Sequence, residues 1–269
     1  MLKDITLGQF FPGTSLVHRL DPRTKLLCVV LYIAALFTAA GWVSYAVVFA
    51  LLAVAVGISR IGVKALLRGM KPVVVILVFT GALNLFYTQT GTELVHLGFL
   101  HITTGGLERA FFMVTRILML ISGTFLLTYT TSPIALTDGL EHLLSPLKLL
   151  KVPVHDLAMM MSIALRFIPT LIEETDKIMS AQKARGADFD GGNLMDKARA
   201  MVPLMVPLFV SAFRRADELA TAMECRCYHG GEGRTRLNQL RFQSADYAVL
   251  VLFLALLGAV LALKWHFNL

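Results

Sequence analysis

The sequence predicts an all-α integral membrane protein with about five transmembrane helices and a charged helical region on the cytoplasmic side. Of its 269 residues 56% are hydrophobic and the mean hydropathy is +0.69. A soluble domain needs a more polar surface than this composition provides. Apolar runs of membrane length are separated by basic segments, and residues 130–244 mix charges of both signs with shorter apolar stretches.

The position of the basic charge predicts the orientation in the membrane. The formal net charge is +7, and residues 1–25 hold four basic and two acidic groups, while residues 60–71 hold four basic groups and no acid. In residues 133–244 fourteen basic groups face thirteen acidic ones. The excess therefore lies beside the apolar runs, as the positive-inside rule requires of cytoplasmic segments. A basic stripe with interleaved aromatics is missing, which argues against nucleic acid as a partner.

Two short spans are expected first, after a cytoplasmic segment 1–25 that lacks the apolar centre of a signal peptide. Residues 26–58 carry no charge, and one helix of that length would reach about 50 Å against a hydrocarbon core of about 30 Å. The chain must therefore fold back, and we expect the corner at Gly41-Trp42. The predicted spans are residues 26–40 and 43–58.

Two longer spans complete the region 26–129. Pro72 can open a helix that continues to Tyr87, the loop 88–106 contains no Lys or Arg and is expected outside, and a fourth span covers residues 110–129. Arg116 lies in the outer half of this span. A charge at that depth must snorkel or meet a carbonyl or carboxylate partner.

The region 130–244 is expected to form helices beneath the membrane. Ser132-Pro133 has the pattern of a helix N-terminus. The apolar stretches 157–172 and 201–213 are interrupted by charge or proline, so they are expected to be amphipathic or buried rather than spanning. The region 245–269 then provides a last span, residues 247–263, and an external tail, giving a multi-pass protein of the cell membrane with its N-terminus inside.

Catalytic and metal-binding chemistry lack the residues they need. The seven histidines form no H-x-x-x-H or H-E-x-x-H pair, and no Asp or Glu lies within the four N-terminal spans. No G-x-x-x-x-G-K-[ST] phosphate-binding motif occurs, so the chain is not expected to hydrolyse ATP. Midplane carboxylates of a secondary transporter are absent too. The glycine-rich stretches at 191–192 and 230–233 are expected to be turns.

Two arginine motifs, Ala184-Arg185-Gly186 and Cys225-Arg226-Cys227, are the candidate site. Residues 156–183 and 209–224 each have apolar positions at helical steps, so each motif is expected at the end of an amphipathic helix. Gly186 suits the position after the first helix, and glycines 230 and 231 are expected to end the second. A guanidinium there can bind carboxylates or carbonyls of a partner; each arginine could instead only cap its own helix. The lone C-x-C is a poor zinc site.

The chain resembles the transmembrane T component of energy-coupling factor (ECF) transporters, a family related to ATP-binding-cassette (ABC) transporters. The resemblance extends over nearly the whole chain. The segments that carry it are residues 13–25 (GTSLVHRLDPRTK), 137–141 (TDGLE), 162–171 (SIALRFIPTL), 181–186 (AQKARG) and 222–228 (AMECRCY).

The resemblance implies a non-catalytic scaffold whose region 130–244 is a coupling domain with long crossed helices. In that family each arginine motif docks on one of two ABC-type ATPase subunits, which bind the ATP, so this chain is expected to need no cofactor and no metal. Arg185 and Arg226 would be the coupling residues. Ala184 and Gly186 would allow close approach, and Cys225 and Cys227 replace the usual small flanks of the second motif.

The implied function is to couple ATP hydrolysis to reorientation of a separate substrate-binding membrane protein, the S component, for vitamin or metal-ion uptake. The nearest alternative is a conventional ABC importer permease with its own translocation path. A membrane-bound enzyme is a more distant one.

Overall fold

The computed structural model describes residues 10–266 apart from positions 89, 98, 99, 188, 190, 192 and 231–239. These residues form ten α-helices, two 3-10 helices (Lys71–Val73 and Ser145–Leu150) and one antiparallel hairpin. The elements are α1 (Leu16–Arg19), α2 (Pro22–Thr38), α3 (Gly41–Ser59), α4 (Val63–Met70), α5 (Val74–Tyr87), β1 (Glu93–Leu97), β2 (Leu100–Thr103), α6 (Thr104–Thr130), α7 (Pro133–Leu143), α8 (Val154–Ala184), α9 (Leu194–Cys225) and α10 (Ser244–His266). The predicted all-α membrane protein is thus confirmed, with one short hairpin as the exception.

The chain divides into two compact units. The first comprises the described residues of Gly8–Gly139 and Leu240–Leu269, and the second comprises those of Leu140–Gln239. We call them the membrane unit and the α8–α9 unit. The predicted regions 1–25, 26–129, 130–244 and 245–269 refer to the bilayer rather than to contacts, so they stay a prediction.

Five helical segments among the described residues are long and apolar enough to cross a membrane. They are Gly41–Ser59, Val63–Tyr87, Thr104–Thr130, Val154–Ala184 and Ser244–His266. The predicted number is confirmed, but one member differs. The first predicted span corresponds to α2, which has 17 residues and is short for a span, whereas α8 continues through Arg166 and Pro169 to reach 31 residues. The stretch 157–172 is therefore not interrupted as predicted.

Several boundaries follow from local chemistry. Gly41 opens α3 with φ of 76°, a value that favours glycine. The predicted fold-back is confirmed, but the corner lies at Ala39 and Ala40, just before the predicted Gly41-Trp42, which are already helical. Ser132 accepts a hydrogen bond from the Ala135 amide at 3.3 Å and caps α7, as its position before Pro133 predicts. In the predicted loop 88–106, β1 and β2 pair. Helix α6 begins at Thr104, six residues before the predicted start, and the Thr103 hydroxyl caps it.

The core of the membrane unit lies between α2, α3, α6 and α10. Buried apolar side chains fill it, and the Tyr32 hydroxyl donates to the Met119 carbonyl at 2.9 Å. The Tyr32 ring packs directly on Gly123, where an added Cβ would approach within 2.6 Å of a ring carbon. This glycine therefore sets the distance between α2 and α6.

A buried polar cluster fixes the start of α2. The Lys25 ammonium donates to the carbonyls of Thr130 and His18 and to the Thr131 hydroxyl at 3.0–3.2 Å. The Asp246 carboxylate, 2% exposed, accepts from the Asp21 amide at 2.8 Å. These bonds join segments from both ends of the membrane unit. They satisfy buried charges that would otherwise be costly.

Arg116 has aromatic partners within the membrane unit. Its Nε donates to the Tyr45 hydroxyl at 2.8 Å, and its guanidinium lies 5.9 Å from the Phe37 ring centre and 5.7 Å from that of Tyr45. The predicted need for a partner is met by a hydroxyl and two rings rather than by a carbonyl or carboxylate. Cation–π contacts of this kind stabilise a desolvated charge.

The second unit is built on two long helices that contact each other. Arg215 of α9 forms an ion pair with Glu174 of α8 at 2.6 Å, and the Gln182 amide lies 3.5 Å from the Pro203 carbonyl. The predicted helix over 156–183 is confirmed as α8. The stretches 201–213 and 209–224 are one 32-residue helix, α9, which contains both Pro203 and Pro207.

Candidate functional site

The first arginine motif forms a Schellman cap at the end of α8. The Gly186 amide donates to the Lys183 carbonyl and the Ala187 amide donates to the Gln182 carbonyl, both at 3.0 Å. Gly186 has φ of 90°, the left-handed conformation that this cap requires. Arg185 is thus the last residue before the turn. The predicted role of Gly186 in ending α8 is confirmed.

The second motif has the same cap with different residues. The Cys227 amide donates to the Glu224 carbonyl at 2.9 Å, and the Tyr228 amide donates to the Met223 carbonyl at 3.0 Å. Cys227 has φ of 56° and takes the place that Gly186 has in the first cap. The prediction that Gly230 ends α9 is wrong, since the cap lies at Cys227. Gly231, predicted to end the helix with it, lies outside the described residues, and so do Gly192, Glu232 and Gly233 of the predicted turns.

The two arginines therefore hold equivalent positions. Each is the residue between the last helical residue and the left-handed one, and Arg226 follows Arg185 by 41 residues. Both side chains are exposed. Neither has a hydrogen bond or ion pair to a side chain among the described residues.

The contacts between α8 and α9 place the motifs at opposite ends of the pair. Residue 174 of α8 contacts residue 215 of α9, and residue 182 of α8 contacts residue 203 of α9. Residue numbers therefore increase along α8 in the direction in which they decrease along α9. The helices are therefore antiparallel at this contact. Arg185 and Arg226 each lie eleven residues beyond the ion pair, so they can be up to about 33 Å apart along the helices.

The flanking residues leave the arginines accessible. Ala184, Gly186, Cys225 and Cys227 are all exposed and small. Both cysteines are free thiols, and the part of the chain that the structure describes has no group of three or more His, Cys, Asp or Glu side chains able to hold a metal ion. A cation at a helix C-terminus is favoured by the exposed carbonyls. Each end is thus a small, positively charged projection.

Comparison with known proteins assigns the family. The family model described as "CbiQ: Cobalt transport protein" matches residues 13–237. This chain belongs to that family. The CbiQ match covers α1 to α9 and both arginine motifs and ends before α10. Together with the relatives below, it confirms the resemblance to transmembrane components of ECF transporters.

Individual relatives align with this chain over most or all of their length. The energy-coupling factor transporter transmembrane protein EcfT of Thermosediminibacter oceani is 56% identical over 93% of this chain and 94% of its own. That of Ruminiclostridium cellulolyticum is 50% identical over 99% and 100% of the two chains, and that of Bacillus subtilis is 48% identical over 98% and 100%. The chain is accordingly a transmembrane transport component of the ECF type.

The ion pair between Glu174 and Arg215 was not among the predicted site residues. The signal for it is present in the sequence, since Glu173-Glu174 and Arg214-Arg215 lie at the same distance before their respective motifs. Acidic and basic pairs on exposed helices are common. Only the contact in the structure distinguishes this pair from ordinary surface charges.

Proposed function

We propose that this chain is the non-catalytic transmembrane scaffold of an ATP-driven importer. It couples ATP hydrolysis by two cytosolic ABC-type ATPases to the reorientation of a substrate-binding S component in the same membrane. The observation that carries the proposal is the matched pair of exposed arginines at opposite ends of the α8–α9 pair. Two equivalent projections that point apart suit two equivalent partners.

The chemistry of docking follows from the guanidinium group. Its planar set of donors can bind carboxylates or main-chain carbonyls bidentately. The small side chains beside each arginine allow a partner's backbone to approach. An acidic groove on the surface of one ATPase subunit would therefore bind Arg185, and the corresponding groove of the other subunit would bind Arg226.

The energy must enter through these contacts. The sequence has no phosphate-binding motif of its own, so the ATP is bound and hydrolysed by the partners. Closure of the ATPase pair on ATP would move the two helix ends, and the helices would pass that movement to the S component. The chain itself then needs no cofactor, and the specificity for a vitamin or a metal ion resides in the S component.

The orientation proposed places the N-terminus and the α8–α9 unit in the cytoplasm of a multi-pass cell-membrane protein. It takes α2 rather than α8 as a span, because α8 is paired with the charged helix α9 through Glu174 and Arg215. The basic residues Arg60, Lys64, Arg68 and Lys71 support it, because they lie between the apolar helices α3 and α5. Accessibility of the exposed Cys225 and Cys227 to a membrane-impermeant maleimide in intact cells and in inside-out vesicles tests it. Modification only in inside-out vesicles is expected.

The decisive experiment reconstitutes the complex in vesicles. Replacing Arg185 and Arg226 together by alanine should abolish substrate uptake and detach the ATPases or uncouple their hydrolysis. Undiminished uptake by the double variant contradicts the proposal. Omission of the S component separates the two transport hypotheses, because uptake that persists without it identifies a conventional ABC permease.

A further inference from the structure

Helices α8 and α9 repeat each other at an offset of 41 residues, over more than the arginine motifs. The Ser180 hydroxyl donates to the Asp176 carbonyl at 2.7 Å, and the Thr221 hydroxyl donates to the Asp217 carbonyl at 2.9 Å. Ser180 and Thr221 differ by 41 positions, and so do Asp176 and Asp217. The two helices thus carry equivalent polar positions as well as equivalent caps.

The ion pair joins equivalent positions of this repeat. Glu174 and Arg215 also differ by 41, and Arg215 Nη2 donates to Glu174 Oε2 at 2.6 Å. Because the helices are antiparallel here, a contact between equivalent residues occupies the same place in both helices. The pair therefore lies at the same distance from each arginine, eleven residues or about 16 Å of helix.

The helical segments between the pair and the arginines are suited to act as rigid arms. Residues 174–185 and 215–226 contain no proline and no glycine. The prolines within these helices, Pro169 in α8 and Pro203 and Pro207 in α9, all precede the pair. Because proline removes a helical hydrogen bond, bending is favoured on that side of the contact.

The charges at the contact also fix which surfaces meet. Glu174 and Arg215 are partly buried, with side chains 27% and 31% exposed, whereas their neighbours Glu173 and Arg214 are exposed. Opposite charges at equivalent positions favour the pairing of α8 with α9. They disfavour the pairing of either helix with its own copy from a second chain.

From these observations we propose that Glu174 and Arg215 are positioning residues that form the pivot of the α8–α9 pair. The pivot holds the two arms at a defined angle, so that displacements of Arg185 and Arg226 are transmitted equally. This inference rests on the proposed function, in which each arginine receives force from one ATPase. The pair itself touches no substrate and no nucleotide.

The first test measures the geometry in the purified full-length chain, without ATPases. Ser180 and Thr221, both exposed and equivalent, are changed to cysteine for nitroxide labels, with Cys28, Cys225 and Cys227 replaced by serine. We expect one narrow distance distribution in this background. E174Q or R215Q should broaden or shift it, and the charge-swapped variant E174R/R215E should restore it.

The matched controls are E173Q and R214Q, which remove the same charges one position away. They should leave the distribution unchanged. An unchanged distribution in E174Q, or a swapped variant that stays broad, overturns the pivot. If the single variants do not accumulate, a swapped variant that accumulates with the narrow distribution supports the proposal, and one that fails to accumulate overturns it.

The second test uses the complete transporter and separates this inference from the proposed function. E174Q should keep both ATPases attached and hydrolysing, yet lower uptake per ATP about fivefold, because glutamine can still accept from Arg215 but loses the charge that roughly doubles the strength of such a bond. Loss of ATPase attachment in E174Q would instead indicate a purely structural role and overturn the pivot. If the unaltered chain binds no ATPase, the proposed function fails, while the distance measurement still decides the pivot.

Discussion

The two arginine ends reach the same geometry from different residues. At the end of α8 the left-handed position is Gly186, and at the end of α9 it is Cys227. The backbone hydrogen bonds of the two caps correspond one to one. A residue with a Cβ adopts this conformation at a cost of about 1 kcal/mol. The backbone hydrogen bonds of the second cap must therefore offset the cost of placing Cys227 in it.

This difference shows that the cap geometry does not depend on one particular residue at the left-handed position. Gly186 has no atom within 4 Å of a Cβ built on it, so its requirement is conformational rather than one of space. Cys227 meets the same requirement less favourably. What the two ends share is an exposed guanidinium held directly before a sharp turn.

The largest effect is expected from removing the guanidinium group at each helix end separately. Arg185→Ala and Arg226→Ala should each lower the uptake rate about thirtyfold, since a hydrogen bond to a charged group contributes about 2 kcal/mol. Uptake and ATPase attachment are measured in vesicles for both. Lysine at either position should retain the charge and part of the rate. One variant with full activity would show that the ends are not equivalent.

Thiol protection tests whether the second end is covered in the complex. Cys225 and Cys227 are exposed while Cys28 is buried, so maleimide should modify two of the three thiols in the isolated chain. ATPase binding should slow that modification about tenfold by excluding the reagent from a buried contact. Mass spectrometry after timed labelling gives the rates. Equal rates in the free and bound chain would contradict docking at this end.

A smaller effect is expected from placing a residue with a Cβ at the left-handed position of the first cap, as the second cap has at Cys227. Gly186→Ala should lower the free energy of unfolding by about 1 kcal/mol, because the left-handed conformation disfavours a Cβ. The melting temperature in detergent is the measurement. The control is Gly57→Ala within α3, another site with open space around the added Cβ; no loss of stability is expected there.

The reverse change should give the smallest effect. Cys227→Gly is expected to stabilise the α9 cap by up to about 1 kcal/mol, since glycine adopts positive φ without cost. Cys225→Gly, at the last helical residue, should instead destabilise, because glycine weakens a helix. Hydrogen exchange at the Cys227 and Tyr228 amides reports the cap directly. Faster exchange in Cys227→Gly would mean that its side chain stabilises the turn.

Much of this fold could be predicted because the bilayer imposes simple rules on sequence. The uncharged run 26–58 exceeds one span, so a corner was required, and the glycine at 41 lies directly after it. The predicted α8 differs from the observed one by two residues at its start and one at its end. Where periodicity and caps agree, local sequence is sufficient.

The remaining differences arise where tertiary contacts override local signals. Pro203 and Pro207 predicted an interruption, yet α9 continues through both. The left-handed Cys227 could not be expected when Gly230 and Gly231 follow so closely. The site arginines came from a motif, but the partnership of Glu174 with Arg215 depends on which faces of two helices meet.

The buried Asp246 has a consequence for biogenesis. It lies at the start of the last helix and receives the Asp21 amide, 225 positions earlier in the chain. During synthesis the start of α2 therefore lacks this acceptor until α10 has been made. A chain truncated before α10 would leave the Asp21 amide without this acceptor, so the junction at the start of α2 can close only after α10 has been synthesised.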